Sequence, residues 1–192
     1  MILGLTGGSG TGKSTACNYF KKRGYIIVDS DSIAREVCSP GEPCLAEIAE
    51  HFGKEILDDK GNLIRPLLGD MVFADKEKLQ LLNSITHKYI VDKNKEIIAL
   101  NPGRNIVLDA PLLFEAGLGS ICTQTLCVLS SREKRIERIV ARDGILPDKA
   151  MARINSQPDD EFYISRCDYT VYNNAGVDEL IKALDAIFGG NE

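Results

Sequence analysis

Within GLTGGSGTGKST, residues 4–15, Gly7, Gly12, Lys13 and Ser14 satisfy the spacing GxxxxGK[ST]. Glycines let successive backbone amides turn inward around phosphate oxygens, so Gly10, Thr11, Gly12, Lys13, Ser14 and Thr15 are candidates to bind a nucleoside triphosphate. The Lys13 ammonium can reach the β and γ phosphates, and the Ser14 hydroxyl can ligand Mg2+. The segment implies ATP or a related triphosphate without saying what is done with it.

Other residues narrow the chemistry. A guanine-reading NKxD fails, because Asn94 and Lys95 are followed by Glu96 and Ile97. Asp58 to Gly61 matches DxxG, but DDKG reads more simply as a polar turn. No LSGGQ-type transporter signature occurs. Asp29 and Asp31 close the apolar run YIIV. A carboxylate at such a strand end can orient an acceptor hydroxyl and take its proton as a phosphoryl group moves. Asp31 is therefore the candidate catalytic base and substrate contact, with Asp29 assisting magnesium or the loop; the competing reading is helix capping. Asp109, at the end of NIVLD, resembles a Walker B acid that would hold magnesium, or else forms a turn before Pro111.

In REKRIERIVARDG a helix would carry Ile136, Ile139 and Val140 on one face. At about 100° per residue, Arg135, Arg138 and Arg142 then fall within about 60° of one another. Arg135 and Arg138 form either a solvated face paired with Glu133 and Glu137 or part of a lid over the triphosphate. Arg142, next to the ArgAspGly break, is assigned to the lid as a catalytic residue. Arg65 is a candidate for an anionic substrate.

These groups need a scaffold that brings strand ends together. Short apolar runs at residues 2–5, 25–28, 105–111, 125–130 and 168–173 alternate with helical patterns, which indicates five parallel strands buried on both faces. The expected architecture is an α/β three-layer sandwich of the P-loop NTPase type. Helical stretches are expected at 14–23, ended by Gly24, and at 132–142, 147–157 and 177–188. Residues 39–104 hold helix-like stretches at 45–52, 65–73 and 76–100 and no convincing strand, so they are expected to form a helical substrate-binding insertion. A lid is expected at about 138–160.

The 192 residues suit one domain, with 44% apolar and 27% charged residues and a formal net charge of −5. That charge argues against a broad nucleic-acid surface. The opening MILGL has no basic stretch and its apolar run stops at Thr6, so the expectation is a soluble cytoplasmic protein with no membrane partner. The six cysteines show no CxxC spacing and read mostly as small buried hydrophobes, and two distant histidines make a structural zinc site improbable.

With these pieces in order, the chain resembles the dephospho-CoA kinase family. The resemblance rests on GLTGGSGTGKST, VDSDSIARE, Arg65, LNSITH before Lys88, DAPLLFEAGL, ARDG at Arg142, RINSQ at 153–157 and DYTVYNNAG. It implies transfer of the ATP γ-phosphate to the 3′-ribose hydroxyl of dephospho-CoA, with Mg2+ at the loop; a monomer or weak homo-oligomer is expected. It also implies that Asp31 is the base, that Arg142 belongs to the lid, that Arg65, His87 and Leu113 contact the substrate, and that Asn173 lies near the adenine. Ser9 stands where a branched apolar residue is common, Ser30 where Ala is frequent, Lys88 where Pro is usual, and Tyr172 at an often acidic position. The rival readings are a kinase for another small hydroxyl substrate, such as a nucleoside or shikimate-like acid, and a regulatory protein that holds ATP without transferring phosphate.

Overall fold

The computed structural model describes residues 1–190. In chain order, β1 (Ile2–Thr6) leads to α1 (Lys13–Lys22) and β2 (Ile26–Asp29), then α2 (Ser30–Glu36), α3 (Pro43–Phe52), α4 (Arg65–Phe73) and α5 (Lys76–Ala99). β3 (Ile106–Asp109) and β4 (Gln124–Leu129) follow, then α6 (Arg132–Asp143), α7 (Pro147–Asn155), α8 (Asp160–Ile164), β5 (Tyr169–Tyr172) and α9 (Val177–Phe188). Two compact units result: one of Met1–Val28, Gly103–Leu113 and the chain from Gly119 onward, the other of Asp29–Pro102 and Phe114–Leu118.

The first unit is built on a five-stranded parallel sheet ordered β2-β3-β1-β4-β5, so β1 is central. Its register sets Leu5 opposite Asp109 on one side and Leu126 on the other. Strand side chains alternate between faces. Leu3, Leu5, Leu126 and Val128 enter one core with Phe20 of α1 and Leu180, Leu184 and Phe188 of α9, while Cys127 and Leu129 meet Tyr163 of α8 on the opposite face. Both faces are therefore covered, as the unbroken apolar runs require, and the unit is an α/β three-layer sandwich. Phe20 anchors the first core, with its ring 5.1 Å from those of Tyr19 and Tyr25 and 5.2 Å from that of Phe188. Burying one such aromatic side chain contributes about 1.5–3 kcal/mol. Gly4 is required inside β1, because a Cβ there would lie 2.8 Å from Cys122 Sγ and 2.9 Å from Leu113 Cδ2.

The second unit is helical and carries no named strand; Leu57 and Leu63 form only an isolated antiparallel bridge. That bridge closes over DDKG, where the Asp58 carboxylate accepts from the Lys60 and Asn62 amides at 2.9 and 2.8 Å, so the segment is the turn its composition predicts. The 24-residue α5 starts at the Asp75 cap, which accepts from the Glu77 and Lys78 amides. Tyr89 on α5 donates to Glu47 of α3 at 2.6 Å, and Lys93 pairs with Glu36 of α2 at 3.4 Å. The helices expected at 45–52, 65–73 and 76–100 all form here, joined in this unit by α2 and residues 114–118.

Ser30, in the first turn of α2, is buried, and its Oγ has no hydrogen-bond partner among the described residues. A buried polar group left unpaired costs about 1–3 kcal/mol. Ser30→Ala is expected to raise the unfolding free energy by about 1 kcal/mol, read as a higher urea midpoint at unchanged m-value. A lower midpoint would show that the hydroxyl has a partner in solution.

Candidate active site

The central strand β1 runs directly into the glycine segment, which turns sharply before α1 begins at Lys13. Gly7, Gly10 and Gly12 take φ values of 141°, 79° and 104°, a region that side chains disfavour. Close approach adds a second reason for glycine at position 12, where a Cβ would collide with the Asn173 side-chain amide. Thr11 is buried and donates through its hydroxyl to the Gly8 carbonyl at 2.9 Å, which closes the loop on itself. Among the described residues, the amides of Gly10, Gly12, Lys13 and Ser14 find no protein acceptor. Together with the positive end of the α1 dipole, these donors make a site for an anion.

The outward-facing carbonyls of the loop are held by donors from distant segments. Arg135 donates from Nε to the Ser9 carbonyl at 2.9 Å. Arg138 donates from one terminal nitrogen to the carbonyls of Gly10 at 3.1 Å and Thr11 at 3.3 Å, and from the other to the Asn173 carbonyl at 2.8 Å. Asn173 is buried, and its side-chain amide donates to the Thr11 carbonyl at 2.9 Å. Neither expectation for Arg135 and Arg138 describes this arrangement: their guanidiniums bond the loop carbonyls and groups beside the loop, Gln157 for Arg135 and Ser130 and Asn173 for Arg138. Burial lowers the Arg135 pKa from its usual value, while nearby Asp160 opposes the shift. Gln157, quoted from the sequence only within RINSQ, accepts from the Ser9 amide at 2.8 Å.

Lys13 forms an ion pair with Asp109 at the end of β3, and Cys17 Sγ donates to the other carboxylate oxygen at 3.2 Å. The contact with Cys17 had no signal in the sequence. Ser14 is exposed in the first turn of α1. Ser14 and Asp109 are oxygen donors suited to Mg2+. Among the described residues no group of three or more His, Cys, Asp or Glu could enclose a metal, so a cation here would share its coordination with phosphate oxygens and water.

The remaining residues fall in different surroundings. Arg142 is exposed and donates to the Asp143 carboxylate, which also pairs with Arg153. Those two arginines hold the Asp143 carboxyl below the usual carboxylate range. Leu113 has no exposed surface and packs over Gly4, which makes it a core residue; its neighbour Leu112 is exposed. The Asn173 side chain is likewise occupied by the loop backbone instead of facing outward toward an adenine.

In the second unit, Asp29 caps α2 by accepting from the Asp31 and Ser32 amides at 2.9 and 3.2 Å and from the Ser32 hydroxyl at 2.7 Å. The capping alternative therefore describes Asp29. Asp31 lies exposed in the first helical turn, and Arg65 is exposed at the start of α4. His87 is half-buried on α5; burial pulls its pKa below 6.5, and Glu115 opposes that shift.

A glycine loop seated on the central strand of a parallel sheet, with a lysine reaching a strand-end aspartate, defines the class of P-loop kinases. The same fold occurs in shikimate kinase from Bacteroides thetaiotaomicron, with a TM-score of 0.55 and 13% identity over 98% of both chains. Within that class the chain belongs to the dephospho-CoA kinase family, whose sequence model matches residues 1–179. Dephospho-CoA kinase from Fusobacterium nucleatum is 38% identical over 96% of this chain and 95% of its own. The solved dephospho-CoA kinase from Campylobacter jejuni superimposes with a TM-score of 0.72 and 25% identity, covering 100% of this chain and 98% of that one.

Two outcomes follow from this geometry. Gly12→Ala is expected to cost about 1–3 kcal/mol of stability and to weaken ADP binding at least tenfold by calorimetry, because it forces both the backbone and Asn173 to move. For His87, the imidazole should titrate below 6.5 by NMR. A base whose folded pKa is depressed contributes stability that is present above its unfolded pKa and lost as pH falls through the folded value. His87→Gln should therefore lessen the stability lost between about pH 7.5 and about pH 5.

Proposed function

We propose that this chain transfers the γ-phosphoryl group of ATP to the 3′-hydroxyl of dephospho-CoA, giving CoA and ADP. The observation that carries this reading is a phosphate loop with open amides and Lys13 in a chain that its family matches over residues 1–179. The loop supports the phosphoryl donor, and the family supports the acceptor. The net charge of −5 supports an enzyme without a broad nucleic-acid surface, and no described helix is long and apolar enough to cross a membrane; we further propose a cytoplasmic monomer or weak homo-oligomer.

Phosphoryl transfer asks a protein mainly to position groups and stabilise charge. The open amides of Gly10, Gly12, Lys13 and Ser14 would surround the phosphates, with Thr11 and Thr15, whose amides bond the Gly8 and Gly12 carbonyls, completing the loop, and Lys13 would leave Asp109 to meet the β and γ groups. Ser14 and Asp109 would hold Mg2+, which when bound neutralises phosphate charge. Asp31 would orient the acceptor hydroxyl and accept its proton. Arg65 and His87 would bind the acceptor, with His87 held neutral by its partial burial. Arg142, exposed near the end of α6, would exchange Asp143 for the transferring phosphoryl group and help exclude water. Asn173 serves the nucleotide through the shape of the loop.

Steady-state kinetics test this assignment. Dephospho-CoA should support ADP release with stoichiometric CoA formation, whereas nucleosides and shikimate should not. Asp31→Asn is expected to lower kcat by about 10²–10⁴-fold with little change in KM for ATP. Absence of CoA would refute the acceptor, and an unchanged kcat would refute the base.

A further inference from the structure

Ser9 is held through all three of its polar groups. Its carbonyl accepts from Arg135 Nε at 2.9 Å, its amide donates to Gln157 Oε1 at 2.8 Å, and its hydroxyl accepts from Gln157 Nε2 at 3.1 Å. Arg135 also donates to the same Gln157 oxygen at 3.0 Å, which closes a ring of three residues. Arg135 lies in the first turns of α6, and Gln157 stands two positions past the end of α7. The helical arm formed by α6 and α7 is thus tied at both roots to one residue of the phosphate loop. Beyond those roots, Ile139, Ala150 and Ile154 form the arm's own small core, with Ile136, Val140 and Ile145 packed against it.

A loop rich in glycine has many conformations available, and binding an anion requires only those with the amides turned inward. A carboxamide suits the task of limiting that freedom, because it can accept from a peptide N–H and donate to a hydroxyl at once. Arg135 completes the grip by taking the carbonyl on the other side of Ser9. Nothing in these contacts reaches the reacting atoms.

We propose that Gln157, together with Arg135, is a positioning residue for nucleotide binding: it fixes the Ser9 peptide and so holds the phosphate loop in its anion-binding shape before ATP arrives. This rests on the loop being the ATP site, not on the identity of the acceptor. The same contacts make the arm's root part of the loop, so the occupancy of one constrains the other.

The test measures ADP affinity by calorimetry, with thermal unfolding midpoints recorded on the same samples. Gln157→Leu keeps the size of the side chain and removes its three polar contacts. It should weaken ADP about 10–30-fold and raise KM for ATP to a similar extent, with kcat at saturation changing less than about threefold. Ser9→Ala removes only the hydroxyl contact and should weaken ADP about two- to fourfold. In the Ser9→Ala background, Gln157→Leu should cost less than it does alone, because one of its contacts is already gone. The proposal fails if Gln157→Leu binds ADP within twofold of the unmodified protein, if its melting point falls while KM for ATP stays unchanged, or if the two losses simply add. Should dephospho-CoA prove not to be the acceptor, these ADP measurements would still decide the matter.

Discussion

Carbonyls that face outward from a phosphate loop need donors, and much of the first unit is arranged to supply them. With the amides of Gly10, Gly12, Lys13 and Ser14 left open, the carbonyls of Ser9, Gly10 and Thr11 point at protein, and Arg135, Arg138 and Asn173 meet them. Parallel strands make this possible. β4 and β5 end on the same edge of the sheet as β1, so β4 hands the chain to α6 and its arginines, while β5 delivers Asn173. Ser130, just past β4, joins the two by accepting from Arg138 at 3.1 Å and donating to the Asn173 carbonyl at 2.7 Å. Two positively charged helix residues are thereby committed to holding the loop backbone.

Charge balance at the front of the loop has the same economy. Lys13 and Asp109 neutralise each other with only about a fifth of either side chain exposed. In the proposed complex the phosphates would offer Lys13 a new anion while Asp109, with Ser14, would hold Mg2+, so that neither charge of the pair would be left alone. Cys17, one turn into α1, steadies the far oxygen of Asp109 in the meantime. At the arm, Asp143 likewise pairs with the exposed Arg142 guanidinium, which on the proposed reading would exchange that partner for a phosphate anion.

Local patterns in the sequence carried most of the fold. The five apolar runs became the five strands, and the helices at 65–73 and 177–188 fall where their periodicity put them, because burial of one helix face or both strand faces is written into neighbouring residues. The loop was legible because its glycine spacing is itself the mechanism. What sits opposite a given face was not legible. The arginines of α6 were correctly placed on the flank of an apolar stripe, yet their partners lie 126 to 128 residues away, and no helical periodicity names such partners. Asp29 and Asp31 look alike in the sequence; they separate only once α2 begins at Ser30 and Asp29 becomes its cap. Leu113 could not be told from Leu112 until the gap above Gly4 showed which of the two fills the core.

The proposed reaction needs Asp31 to address the hydroxyl of an acceptor while the phosphate loop holds the phosphoryl donor. A crystal structure with Mg2+, a non-hydrolysable ATP analogue and dephospho-CoA measures that arrangement directly. The account predicts the 3′-hydroxyl oxygen within about 3 Å of the Asp31 carboxylate and roughly in line with the γ-phosphorus. A complex in which a different hydroxyl, or a different side chain, occupies that place while Asp31 remains in solvent would contradict it.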